Sequence, residues 1–170
     1  FKKLAGGGYF KIINQSIPAA LRTLGYTEAQ IQDIVDYCVG RQTLQTAPFI
    51  NHEALRQKGF DDAALARMEG GLSQAFEIQF VFNKYALGED FCREKLGLTD
   101  AQLIESNFNM LKALGFTQEE IAAANDHCCG TMTVEGAPHL KVEHLPVFDC
   151  ANRCGRIGQR YIAVDAHIRM

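Results

Sequence analysis

The chain has 170 residues, a length that suits one compact domain or one domain plus a fragment. Hydrophobic residues make up 47% and the formal net charge is −3, so a buried core is expected and the summed charge gives no reason for direct binding to nucleic acid or an anionic membrane. No apolar run approaches the ~20 residues that span a bilayer, and no signal peptide is visible. The cysteines, Cys38, Cys92, Cys128, Cys129, Cys150 and Cys154, do not imply a disulfide scaffold in a chain of this size. Reduced thiols and a cytoplasmic location are the expectation.

Residue 1 is Phe, and Tyr161–Met170 stops with apolar residues still recurring, so the sequence reads as a piece of a longer protein. Residues 1–15 pass through the triplet Gly6-Gly7-Gly8 into Tyr9-Phe10-Lys11-Ile12-Ile13, a candidate short strand. A phosphate-cradling loop requires a Gly-Lys-Ser/Thr ending ahead of a helix. None follows the triplet, and a flexible connector is the simpler reading. Ser16 is the candidate cap of a first helix with Pro18 in its first turn and Ile17, Ala20, Leu21 and Leu24 on one face. A second helix starts at Thr27, aligns Ile31, Ile34, Val35 and Cys38, and ends at Gly40. A loop over 41–50 closes in Ala47-Pro48. Asn51 caps a short helix through Leu55 that Gly59 ends, and Asp61 starts another running to Gly70-Gly71.

Phe76, Ile78, Phe80, Val81, Phe82 and Tyr85 make 72–87 the most aromatic stretch. Its spacing fits strand and helix alike, and the helical surroundings tip the expectation to helix. Lys84 is its only basic residue, so these rings read as core rather than as a base-stacking surface. Gly88-Glu89-Asp90 starts a short helix ending at Leu96-Gly97. Two more run over 99–114, with a break near Ser106, and over 117–129. From Pro146 the texture is irregular, and an amphipathic element begins at Tyr161.

One phrase recurs along this path, at Leu24-Gly25-Tyr26-Thr27, Lys58-Gly59-Phe60-Asp61, Leu96-Gly97-Leu98-Thr99 and Leu114-Gly115-Phe116-Thr117. Each reads as a helix stop, with glycine in the left-handed conformation and an apolar residue behind it, followed by an N-cap. Gln30, Gln102 and Glu120 stand three residues after their threonines, as a capping box requires. Ala20–Leu55 also matches Met110–Leu145 at an offset of 90. The expected fold is therefore mainly α: a compact helical domain over 16–145 with a pseudo-repeated helix-helix-loop unit (20–55 and 110–145), each unit burying the other's apolar face. Residues 1–15 and 146–170 are expected to connect it to a parent fold.

The densest reactive cluster is Asp126, His127, Cys128, Cys129, His139, His144, Asp149, Cys150 and Cys154. A zinc module at 127–154 would need four N/S ligands on a tetrahedron. Adjacent Cys128 and Cys129 rarely share a metal, and the repeat equivalents of His127 and Cys129 are Tyr37 and Val39, so no metal ligand is assigned. A nucleophile at Cys150 with His144 or His167 has nothing local to bring the pair together, and no catalytic residue is assigned. A helical protein-binding module using the Gly-aromatic loops would require Tyr26 or Phe116 to be exposed; packing beneath the cap is the simpler reading.

Five irregular strings carry more specific information. They are Tyr9-Phe10-Lys11-Ile12-Ile13-Asn14-Gln15-Ser16, Leu87-Gly88-Glu89-Asp90-Phe91-Cys92, Gly130–Pro138, His144-Leu145-Pro146-Val147-Phe148-Asp149-Cys150-Ala151 and His167-Ile168-Arg169-Met170. Together they resemble the adenosylcobalamin (vitamin B12)-dependent, class II ribonucleotide reductases in their long bacterial form. The resemblance implies that the parent is an α/β-barrel enzyme that turns ribonucleotides into deoxyribonucleotides by thiyl-radical chemistry with adenosylcobalamin. It implies that this chain is a helical insertion with short barrel segments at 1–15 and 146–170, packed on the rest of the parent. The family's thiyl stretch resembles Asn-Pro-Cys-Ser-Glu, and neither it nor a tail Cys-x-x-Cys pair stands in these residues. The chain alone is accordingly expected to be structural and inactive, with no catalytic residue and no cofactor of its own.

Overall fold

Each Gly-apolar-cap phrase becomes a turn between helices in the computed structural model, which describes residues 2–3, 9–10 and 14–169. The Gly6-Gly7-Gly8 triplet and Ile13 lie outside the described residues, while Lys2–Lys3 (β1) and Tyr9–Phe10 (β2) pair antiparallel. Helix α1 (Ser16–Thr23) ends where Gly25, at φ 86°, donates to Arg22 O and Tyr26 N donates to Leu21 O. This paired bond pattern is the Schellman stop, which satisfies the last carbonyls of the helix. Helix α2 (Glu28–Val39) begins at Thr27, whose hydroxyl accepts from Gln30 N while the Gln30 side chain accepts from Thr27 N. Helix α3 (His52–Gln57) is capped by Asn51 and closed by the same bonds from Gly59 and Phe60 to Arg56 and Leu55. Asp61 then accepts from Ala64 N to start α4 (Asp62–Leu72). After α5 (Lys84–Leu87) and α6 (Glu89–Glu94), the third phrase closes more widely, with Leu98 N bonded to Cys92 O, and its capping box starts α7 (Asp100–Ile104). Helix α8 (Met110–Ala113) stops through Gly115 and Phe116, and Thr117 and Glu120 exchange both capping bonds at the start of α9 (Gln118–Cys129). A 3-10 stretch over Val142–Phe148 and α10 (Val164–Ile168) complete the described elements.

Three sequence expectations need correction. Ser16 does not cap α1; Asn14 Oδ1 accepts from both the backbone N–H and the hydroxyl of Ser16. Helix α4 does not stop at Gly70-Gly71 but passes through to Leu72. The glycine there serves close approach, since a Cβ on Gly71 would come within 2.8 Å of Val81 Cγ1. Residues 72–87 are not one helix. A 3-10 turn at Ile78–Phe80 precedes α5, because Asn83 turns its side chain back to accept from Tyr85 N and Ala86 N and so restarts the helix. The 99–114 span, by contrast, breaks where expected: α7 and α8 are separated at 105–109, around Ser106.

The chain divides into two compact units. Unit 1 comprises Phe1–Arg41 and Gly130–Met170, and unit 2 is Gln42–Cys129. In unit 1, Leu21, Tyr26, Ile31, Ile34, Cys38 and Ala137 form the core. Burying Ile34 or Leu21 completely contributes about 1.5–3 kcal/mol each. In unit 2 the core runs from Leu44 to Cys129, with the edge-on rings of Phe60, Phe82 and Phe91 at 5.6–6.0 Å. The aromatic stretch is divided between these roles: Ile78, Val81 and Phe82 are buried, whereas Phe80 and Tyr85 are exposed.

The two units use the same bonds. In unit 1 the C-terminus of α2 accepts from Met132 N through Cys38 O, and the Cys38 thiol donates to Thr133 O at 3.2 Å. In unit 2 the C-terminus of α9 accepts from Gln42 N through Cys128 O, and the Cys128 thiol donates to Thr43 O at 3.2 Å. Gln42 and Met132 both carry positive φ, 57° and 61°, as do Phe49 and His139, 60° and 64°.

Candidate functional site

The chemistry-bearing residues of unit 1 gather where the loop after Gly130 and the segment from Lys141 to Ile162 meet α1 and α2. Tyr26 is the innermost anchor. The cap buries its ring to 8% exposure, and its oxygen accepts from Lys141 N at 2.9 Å. The same oxygen lies 2.7 Å from His144 Nδ1, with the two rings edge to face, so the phenol proton is available to a neutral imidazole. Tyr37 donates to Glu135 O. The Glu135 carboxylate in turn accepts from Gln159 N and Arg160 N, both at 2.9 Å. Arg160 grips Asp149 with two parallel bonds of 2.7 Å, the forked geometry that suits guanidinium and carboxylate. The Arg160 hydrogen bond, aided by its charge, holds the Asp149 carboxyl below the usual range. The chain from 149 to 160 is thus clasped at both ends.

Between the clasps lies a pocket of about 410 Å³ lined by Met132 and Cys150–Gly155. Cys150 is exposed and Cys154 half-buried. Burial is the first cause that pushes the Cys154 thiol up, followed by the charge of Cys150 and a hydrogen bond between the two thiols. Cys38, behind them, is pushed up to about 12 by burial and by Cys154. Gly155, at φ 66°, allows the turn, because a Cβ there would sit 2.2 Å from Thr131 O. Arg153 lies over the Tyr161 ring at 5.3 Å.

The reactive cluster read from the sequence is therefore dispersed. Asp126, His127, Cys128 and Cys129 belong to unit 2, where His127 meets Thr46 and both cysteines are buried. His139, His144, Asp149, Cys150 and Cys154 belong to unit 1, where His139 pairs with Asp33 and His144 with Tyr26. Among the described residues, no group of three or more His, Cys, Asp or Glu side chains is arranged to hold a metal. The His167 side chain lies outside the described residues, and His144 is committed to Tyr26 rather than to Cys150. The exposure that a Gly-aromatic binding loop requires is not found. Tyr26 is buried, and Phe116 is half-buried with the Lys58 ammonium 5.6 Å from its ring centre. Sequence reasoning missed Glu135, whose carboxylate works on backbone N–H groups 24 and 25 residues away. It weighed Cys150 as a metal ligand and as a nucleophile, and Cys154 as a metal ligand, but not the two together; their spacing was the available signal of a thiol pair. Among the described residues, no helix is long and apolar enough to cross a membrane.

Fold and site together define a mainly α segment in two units, with polar clasps around a small cysteine-lined pocket. No protein-family model matches the sequence. Individual relatives do: the chain is 59% identical over all 170 residues to a vitamin B12-dependent ribonucleotide reductase of Bradyrhizobium diazoefficiens and 55% identical over the same length to that of Agrobacterium fabrum. A protein of the same name from Streptomyces avermitilis is 47% identical over 163 residues, 86% of this chain. The chain spans 14%, 13% and 17% of these relatives. It is thus related, along its whole length, to a segment of the vitamin B12-dependent ribonucleotide reductases.

Proposed function

We propose that the chain is the helical segment of a cytoplasmic vitamin B12-dependent ribonucleotide reductase, whose complete form reduces ribonucleotides to deoxyribonucleotides by thiyl-radical chemistry. The observation that carries this reading is the 59% identity without a missing stretch at either end of the 170 residues. The segment's own role is structural. Residues 16–145 form the insertion, and residues 1–15 and 146–170 lead from and back to the parent barrel. Val142, Val147, Ile157, Tyr161, Val164 and Ile168 are 49–79% exposed, and such a concentration of apolar surface in one stretch favours contact with the remainder of the parent chain.

The parent's cofactor, adenosylcobalamin, would supply the radical. The pocket beside the cysteines does not fit it: about 410 Å³ is at the lower end of what drug-sized ligands occupy, and a corrinoid is far larger. No step is therefore assigned to this segment. The insertion is further read as a duplicated helix-helix-loop unit, 20–55 and 110–145. Support comes from the matched Schellman stops at Gly25 and Gly115 and from the matched thiol bonds of Cys38 and Cys128.

The test supplies the purified 170-residue chain with adenosylcobalamin, a ribonucleotide and a dithiol. No deoxyribonucleotide is expected, and turnover would sink the structural assignment. The parentage is checked on the native gene. An Asn-Pro-Cys-Ser-Glu-like stretch upstream and a cysteine pair at the far C-terminus are expected, and absence of both would overturn it.

A further inference from the structure

We propose that Cys150 and Cys154 are a modification site: a dithiol that a hydroperoxide converts reversibly into an intramolecular disulfide. The inference goes beyond the reductase reading and concerns the 170-residue chain by itself, in which Cys150 is exposed. The two residues stand four apart in a stretch without helix or strand and line the same pocket. Their exposures differ in the useful order. Cys150 is open to solvent, and Cys154 is half-buried behind it, whereas Cys38, Cys92, Cys128 and Cys129 are buried. Access and thiolate character decide which thiols oxidise, and access singles out Cys150.

The clasps make the pairing persistent. Asp149 is fixed to Arg160, Cys150 O accepts from Ile162 N at 2.8 Å, and Cys154 O lies against Gly158, where an added Cβ would come to 2.1 Å. The loop therefore holds both cysteines at the one pocket.

The chemistry balances in two steps. With hydrogen peroxide, the Cys150 thiolate attacks one oxygen, the O–O bond breaks, the sulfur becomes a sulfenic acid, and the departing hydroxide takes up the proton that Cys150 had released and leaves as water. The Cys154 thiol then attacks that sulfur, the S–O bond breaks, and a second water leaves with the Cys154 proton. Two thiols lose two electrons and two protons, and the hydroperoxide gains them. A small dithiol reverses the bond by exchange.

The test treats the full chain under native conditions with hydrogen peroxide, then alkylates it, digests it with trypsin and weighs the peptides. Trypsin cuts after Lys141, Arg153 and Arg156, so the bridge would join residues 142–153 to residues 154–156 at a mass two hydrogens below their sum. That species is expected, abolished by dithiothreitol, with Cys150 and Cys154 losing alkylatable thiol at least about tenfold faster than Cys38. In Cys154→Ser, a sulfenic acid at Cys150 is expected to accumulate and be trapped by dimedone. The wild-type measurement stands even if that variant misfolds. Oxidation of Cys150 to sulfinic acid with Cys154 still alkylatable, a bridge to any other cysteine, or a dimer linked through Cys150 would each overturn the proposal.

Discussion

Gly25 and Gly155 share a left-handed backbone and differ in what surrounds them. Nothing lies within 4 Å of a Cβ built on Gly25, whereas one on Gly155 meets Thr131 O at 2.2 Å. Gly25→Ala should therefore cost only the conformational term, about 1–2 kcal/mol. Gly155→Ala adds a backbone collision and should cost more, measured as the shift in urea midpoint at unchanged slope. Equal losses would contradict the close approach. At Asp149 the argument is electrostatic. Its carboxyl is held below the ordinary value, so the Arg160 clasp favours the folded state above the usual aspartate range, about 3.9, and is lost as pH falls through the depressed value. Asp149→Asn should lower stability near neutral pH and flatten its fall on acidification, read from urea midpoints across that range.

Helix ends show how far local chemistry was readable. Thr27, Asp61, Thr99 and Thr117 all cap as the sequence predicts, because a cap is decided within four residues. Thr99→Ala should cost about 1 kcal/mol by chemical denaturation. Ser16→Ala should cost less than Asn14→Ala, since Asn14 holds the start of α1; the reverse order would show the cap misassigned. The aromatic stretch was not readable in the same way. Ile78, Phe82 and Tyr85 match a helix face in spacing, yet Asn83 interrupts it with a cap that periodicity does not weigh. The clasps were least accessible of all. Tyr26 and His144 are 118 residues apart, and no local rule joins them. The irregular strings located the chain among its relatives without revealing these contacts.

At the scale of the molecule, the units differ in how the chain supplies them. Unit 2 is one uninterrupted stretch, while unit 1 is assembled from residues on both sides of it. The ends of unit 2 are brought together by the bond from Gln42 N to Cys128 O at 3.0 Å. A ribosome delivers all of unit 2 before it delivers Thr131 or Thr133, the partners that α2 awaits. Closing a flexible loop costs entropy that grows with its length, and a unit already folded with adjoining ends removes most of that length. Unit 2 therefore has the topology of a cassette set into a host, leaving Arg41 and Gly130 as the ends that the host joins.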